Sequence, residues 1–325
     1  MQQQNWQTLL QKSTKSPSLL LDDLDIGGTT LSETANDLFP FRSTASFSGR
    51  IEKGNPEDPL LRQILPLPDE DLEHPGFSHD PLAEQAQQPI PGVLHKYNGR
   101  VLLIVTGACA IHCRYCFRRH FPYTNANTGG DNLAPALEYL ANDNSVSEVI
   151  LSGGDPLMVS DERFTTLVNL LAGIQHIKRL RIHSRIPVVL PERITDTLLH
   201  CLTATRLQPV MVLHVNHANE LDPATALVLK KINQHNIPLL NQSVLLKGIN
   251  DSVDTLVQLS EKLFENGVIP YYLHMLDPVK GAFHFQVEET RAKQIMQQLH
   301  RQLPGYLVPR LVREIAGAAS KLPIS

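Results

Sequence analysis

Arg100-Val-Leu-Leu-Ile-Val-Thr-Gly-Ala-Cys-Ala-Ile-His-Cys-Arg-Tyr-Cys116 reads as a β-strand over Val101–Thr106 that runs straight into three cysteines. An unbroken aliphatic and β-branched run of this length favours a buried strand. Cys109, Cys113 and Cys116 follow at the spacing C-x3-C-x2-C, on what must be a loop. Three thiolates can hold three irons of a cubane 4Fe-4S cluster and leave the fourth open to an exogenous ligand, whereas four would close it for electron transfer. Thiolates also suit zinc, and His112 or His120 could complete such a site. The remaining cysteine, Cys201, lies far along the chain in a helical pattern and reads as a core residue. This clustering argues for a metal site in a reducing compartment rather than a disulfide framework.

Outward from this stretch the pattern is regular. Candidate strands at Val101–Thr106, Glu148–Ser152, Arg179–His183, Val210–Val215, Leu239–Leu245 and Tyr271–Met275 alternate with helical patterns. The helices fall near Ala134–Asn142, Asp161–Ala172, Thr195–Ala204, Pro223–His235 and Asp254–Asn266, with a last one over Glu288–Leu303. Six strand–helix units in series predict an α/β fold with parallel strands inside and helices outside. That number suits a partial, open (βα)6 barrel of TIM type, with a doubly wound sheet as the alternative. Residues 1–95 differ from the rest. A helix there is expected to start at Thr30 or Ser32 and stop at Pro40, and eight prolines between Asn55 and Val93 forbid long helices. We read 1–95 as a helical and Pro-rich wrapping region anchored by Leu60, Leu61, Ile64, Leu65 and Phe77, with disorder as the alternative. The barrel takes 96–303 and a C-terminal segment 304–325.

The chain has 325 residues, 42% of them hydrophobic, with a formal net charge of −4. No basic excess favours a nucleic-acid backbone. The N-terminus lacks the basic-then-apolar pattern of a signal peptide, and the apolar runs are too short to cross a bilayer. A cytoplasmic protein that meets neither membrane nor nucleic acid is expected. Ser152-Gly-Gly-Asp155, after the second strand, is by itself only a turn.

With these motifs the chain resembles the radical S-adenosylmethionine (SAM) superfamily. The resemblance implies that Tyr115, next to the last cysteine, lies beside the adenine of SAM, and that Ser152, Gly153, Gly154 and Asp155 meet its amino group, the glycines allowing close backbone approach. It narrows to the lysine 2,3-aminomutases over Tyr97–Lys321. The stretches that carry it include Tyr97-Asn-Gly-Arg-Val-Leu-Leu103, Cys116-Phe-Arg-Arg119, Ser184-Arg-Ile-Pro-Val-Val-Leu-Pro191, His214-Val-Asn-His-Ala-Asn-Glu220 and Asn241-Gln-Ser-Val-Leu-Leu246. Cys116-Phe-Arg-Arg-His-Phe-Pro-Tyr123, Pro270-Tyr-Tyr-Leu-His274 and Glu52-Lys-Gly-Asn-Pro-Glu-Asp-Pro-Leu-Leu-Arg62 are most similar to the branch that makes β-lysine for attachment to elongation factor P.

The resemblance implies isomerisation of L-α-lysine to (R)-β-lysine with pyridoxal 5′-phosphate (PLP) as a further cofactor and a reducing electron donor such as flavodoxin. It makes Lys321, in Ala316-Gly-Ala-Ala-Ser-Lys321, the Schiff-base lysine, although alone it reads as a solvated tail charge. Arg100 would meet the PLP phosphate, Tyr97 and Gln242 would line PLP, and His214 would line the SAM or substrate site. Arg118 would grip the substrate carboxylate, and Asp277 with Glu314 would hold its ε-ammonium. Where family members carry an additional zinc-binding cysteine this chain has Ser252, so no structural zinc is expected. The alternatives are an aminomutase for another amino acid and a non-catalytic, cluster-binding sensor.

Overall fold

The computed structural model describes residues 5–124, 126–129 and 132–325. Its sheet runs in strict chain order: β1 (Val93–Tyr97), β2 (Arg100–Thr106), β3 (Glu148–Gly153), β4 (Arg179–Ser184), β5 (Gln208–Leu213), β6 (Leu239–Val244), β7 (Val268–His274), β8 (Arg310–Arg313) and β9 (Leu322–Pro323). β2 to β8 are parallel, while β1 and β9 pair antiparallel at the two edges. A doubly wound sheet reverses strand order at a switch point. Here order never reverses, as in a barrel wound one unit at a time, and β1 and β9 remain unjoined edges.

All six expected strands are present, and three more were not foreseen. β8 has four residues and β9 two, too few for an alternation signal. β1 follows the proline-rich stretch, where no regular element was expected. β7 begins at Val268 rather than Tyr271, because Pro270 does not end it. The register shifts between Asn241 and Gln242 on the partner strand, where Asn241 faces Pro270, and this irregularity accommodates a residue without an N–H.

The helices form where the sequence pattern places them. α5 (Leu133–Asn142), α6 (Asp161–Gly173), α8 (Asp196–Thr203), α9 (Pro223–Gln234), α10 (Val253–Glu265) and α11 (Glu289–Gln302) match the sequence reading closely, and α7 (Ile186–Val189) is a single turn. Ser160, Thr195, Asp222 and Ser252 accept the backbone N–H three residues on, each such cap contributing about 1 kcal/mol. Gly267, at φ +70°, stops α10. Phe164, Val168 and Leu171 of α6 join Val149, Leu151, Leu180 and Ile182 of the sheet in one apolar core.

Residues 5–92 wrap this barrel. They hold α1 (Trp6–Gln11), α2 (Pro17–Asp23), α3 (Glu33–Leu38), capped by Ser32, and α4 (Ala45–Ser48), followed by extended chain with short 3-10 turns. Leu60, Leu61, Ile64 and Leu65 are buried, so the arm is ordered, whereas Phe77 is half-buried. β1 spans the 95/96 boundary, and 304–325 adds two strands to the same sheet.

Candidate active site

Parallel strands place side chains alternately on their two faces, and β4 shows the consequence. Leu180 and Ile182 join the apolar core, while Arg181 and His183 face the barrel interior. There a cavity of about 370 Å³ is lined by Arg100, Ser152, Arg181, His183, Gln242, Tyr272 and His274 from β2, β3, β4, β6 and β7. The cysteine loop, Asp277, Glu314 and Lys321 complete its wall. The loops after the strands' C-terminal ends therefore carry the chemistry, as in closed barrels.

Arm and sheet together shape the cysteine loop. The fully buried Arg114 forms a two-point pair with Glu70 of the arm, at 2.7 Å each, and donates to the Ala35 carbonyl. Arg119 pairs with the same carboxylate at 2.6 Å. On the other side Gly154 N donates to Thr106 O and Asp155 N to Ala108 O, both at 2.8 Å. A Cβ on Gly154 would lie 2.5 Å from Ala108 O, and one on Gly153 2.6 Å from Thr106 O. The room that these glycines make is thus taken up by the end of β2 at Thr106 and the start of the cysteine loop at Ala108. Asp155 is engaged as well. Its carboxylate accepts Ser184 Oγ and the N–H groups of Leu157, Arg185 and Ile186, while burial pushes it up to about 6.

All three loop cysteines line the cavity as free thiols. Burial pushes the Cys109 thiol well up and the Cys116 thiol up to about 11, with neighbouring cysteines adding to both. Deprotonating these neighbouring buried thiols together needs bound cations, which a cluster's irons would supply. Among the described residues, no three Cys, His, Asp or Glu side chains converge on one ion position. A cubane, in which each thiolate takes its own iron, fits the loop better than a single zinc. His112 stacks on Phe39 with Nδ1 at 2.5 Å from Pro40 O, and His120 Nε2 lies 3.3 Å from Lys280 O, so both candidate zinc histidines are committed elsewhere. Cys201 is buried in the apolar core as expected, and Ser252 caps α10.

Beside the loop lies a polar network that sequence reading missed. Arg185 donates to Cys113 Sγ at 2.7 Å and is held by Glu220 at 2.8 Å and by Gln63 at 2.7 Å. Tyr115 sits over this group, its ring edge-on to Phe285. Arg118 is buried. Glu84 holds its Nε and Nη2 at 2.6 and 2.8 Å, and its Nη1 donates to Ser152 Oγ at 3.0 Å.

The far wall carries the C-terminal lysine. Because β9 pairs back onto β8, Lys321 faces the cavity instead of trailing into solvent. Its Nζ lies 2.5 Å from Glu314 Oε2. Glu314 Oε1 accepts Lys96 Nζ and Tyr97 OH, each at 3.0 Å. Burial pushes the Glu314 carboxyl up, but Lys321 and Lys96 outweigh it and hold it well below the usual range. Asp277 differs. No ion pair or hydrogen bond reaches its carboxylate among the described residues, and burial, then Glu314, pushes it up to about 7. Arg100 lies over the Tyr97 ring at 4.7 Å and has no carboxylate partner among the described residues. Gln242 Nε2 and His214 Nε2 are 2.9 Å apart, and burial, then Arg185 and Arg118, pushes His214 down to about 3. His183 Nε2 and His274 Nε2 are buried without partners among the described residues. The Lys321 amine, the Arg100 guanidinium and the His183 and His274 ring nitrogens in one cavity suit a phosphate-bearing aldehyde such as PLP.

Glu84, Lys96, His183 and His274 escaped sequence reading. For the histidines the alternation of β4 and β7 was the available signal, since polar residues at every second strand position mark the wet inner face of a barrel as well as a solvent face.

The shift at Asp277 makes a pH prediction. An ammonium is held only by the ionised carboxylate. A ligand whose ammonium docks on Asp277 should therefore bind up to about tenfold more tightly per unit of rising pH below 7 and level off above it, and Asp277→Asn should remove the slope. In the empty protein the sign is opposite. Unfolded Asp ionises at a lower pH than Asp277 does, so the folded chain holds more protons between those values and loses stability as pH rises through them. Asp277→Asn should raise the melting temperature at pH 7.5, as calorimetry would show.

A model for a 4Fe-4S single cluster domain matches residues 97–184. The L-lysine 2,3-aminomutase of Escherichia coli is 49% identical over 324 residues, covering 99% of this chain and 94% of that protein. That of Haemophilus influenzae is 47% identical, covering 98% and 95%. The Clostridium subterminale enzyme is 36% identical, covering 86% of this chain and 68% of its own. Among solved structures, Streptococcus suis SuiB bound to its precursor peptide SuiA superposes with a TM-score of 0.50 at 16% identity, over 68% of this chain and 50% of that one, a likeness of fold. With relatives this similar along nearly its whole length, the chain belongs to the radical SAM lysine 2,3-aminomutase family, a family of isomerases.

Proposed function

We propose that this isomerase converts L-α-lysine to (R)-β-lysine with PLP as a second cofactor, that the product serves modification of elongation factor P, and that a donor such as flavodoxin supplies the electron. The observation that carries the PLP reading is Lys321, folded back by β9 into the same cavity as the three cysteines. The elongation factor P reading rests on the motifs quoted above, Glu52–Arg62 among them.

Cβ of lysine has no usable acidity, so no side-chain base can activate it. When bound, the cluster with SAM supplies a carbon radical able to remove that hydrogen, and PLP lets the amino nitrogen shift to the neighbouring carbon. The chain's own residues orient and enclose. Cys109, Cys113 and Cys116 would hold three irons of the cluster, with Arg185 donating to the Cys113 sulfur. Tyr115, Ser152, Gly153, Gly154 and His214 would line the SAM side, with Asp155 bracing the turn that carries them. Lys321 would hold PLP covalently, Arg100 its phosphate, and Tyr97 and Gln242 its flanks. Arg118 would grip the substrate carboxylate. Asp277, the carboxylate without a partner, would take the ε-ammonium. Glu314, which already holds Lys96, Tyr97 and Lys321, would add its negative charge to that end of the site. Position and exclusion of water are what such a site contributes to the rate.

Borohydride reduction of the PLP-loaded protein followed by peptide mapping tests the lysine directly. The pyridoxyl mass should fall on Lys321, and a label on Lys96 or any other lysine would overturn the assignment.

A further inference from the structure

Glu84 belongs to the proline-rich arm, outside every motif that carries the family resemblance, yet its carboxylate sits deep in the cavity wall with 3% of its side chain exposed. The local backbone is built to aim it there. Asp80 accepts the N–H groups of Glu84 and Gln85 at 2.9 and 3.1 Å. Ala83, just before, is held at φ +50°, a left-handed conformation that costs an alanine energy and persists only when its surroundings impose it. The Glu84 carboxylate then meets two cations: Arg118, on two nitrogens, and Lys96, at 2.9 Å. Lys96 bridges on to Glu314, which pairs with Lys321. Charges of alternating sign thus run from the cysteine loop to the C-terminal lysine: Arg118, Glu84, Lys96, Glu314, Lys321.

Donor counting shows what Glu84 does to Arg118. A guanidinium has five N–H groups. Glu84 takes the one on Nε and one on Nη2, and Ser152 takes one on Nη1. One N–H remains on each terminal nitrogen, enough for a carboxylate to dock end-on at two points. We propose that Glu84 is a positioning residue for the amino-acid carboxylate: it grips the side edge of Arg118 and turns its end edge to the substrate. This rests on the reading of Arg118 as the carboxylate-binding residue.

The test uses holoenzyme with cluster, PLP and SAM, and compares lysine with cadaverine. Cadaverine keeps the carbon chain and the terminal ammonium but lacks the carboxylate. Glu84→Gln should raise the lysine KM at least about tenfold, the scale of a lost charge-assisted hydrogen bond, and leave the inhibition constant of cadaverine within about twofold. A merely structural role would weaken both ligands alike, and that result, or no change in either, overturns the proposal. If Glu84→Gln does not fold, Glu84→Asp, which keeps the charge but shortens the reach, is read by the same ratio. Arg118→Lys separates the two readings. If it leaves lysine KM unchanged, the carboxylate grip itself is wrong. If it weakens lysine while Glu84→Gln does not, only the role of Glu84 fails.

Discussion

Alanine at Cys109, Cys113 or Cys116 should abolish reductive cleavage of SAM, measured as 5′-deoxyadenosine released under anaerobic conditions with a strong reductant. Each thiolate is expected to carry its own iron, and the loop offers no substitute. His112 and His120 are held by backbone carbonyls, and Cys201 lies in the apolar core. Iron content should fall in the same variants. Cys201→Ser should cleave SAM within about twofold of wild type, because it only places a hydroxyl in a small buried site. Full iron content and turnover in all three alanine variants would dismiss the ligand set. Arg185→Met is a milder change. It removes the donor to Cys113 Sγ without touching a thiol, and should shift the cluster's reduction potential while iron content stays at the wild-type level.

The second large effect is expected at the ammonium end. Asp277 is buried without a partner among the described residues, so an incoming ε-ammonium would both satisfy it and be satisfied by it. Breaking such a buried pair from one side costs on the order of 3–5 kcal/mol, about two to four decades in binding. Asp277→Asn should weaken lysine by that amount and leave SAM binding near wild type. Norleucine, which keeps the carbon chain but lacks the ε-amino group, should be turned over far more slowly than lysine by the wild-type enzyme. Equal turnover of the two, or an unchanged lysine KM in Asp277→Asn, would point to a different amino acid.

Much of this is legible in the amino-acid sequence. The run Val101–Thr106 into Cys109 announced strand, loop and cluster chemistry together, and the capped, amphipathic helices fell within a residue or two of their expected ends. Some features were not legible, for physical reasons. β8 and β9 are too short for periodicity to register, yet their pairing alone turns Lys321 from a tail charge into a cavity residue. Gly153 and Gly154 fit closely against Thr106 at the end of β2 and Ala108 in the cysteine loop, a contact between segments about 45 residues apart that spacing cannot reveal. Glu314 was read as an ammonium ligand, and in the fold it already serves Lys96, Tyr97 and Lys321. Glu84 and Lys96 carried no local signal at all. A glutamate in a proline-rich arm looks solvated until the arm is seen packed against Arg118.

The most direct measurement is anaerobic turnover of L-lysine labelled with nitrogen-15 at the α-amino group, using protein loaded with iron, sulfide, PLP and SAM and supplied with reductant. β-Lysine carrying the label on Cβ, formed only when SAM and reductant are both present and lost in Lys321→Ala, is the expected result. Absence of β-lysine from fully loaded protein, or β-lysine formed at the same rate without PLP, would contradict the account.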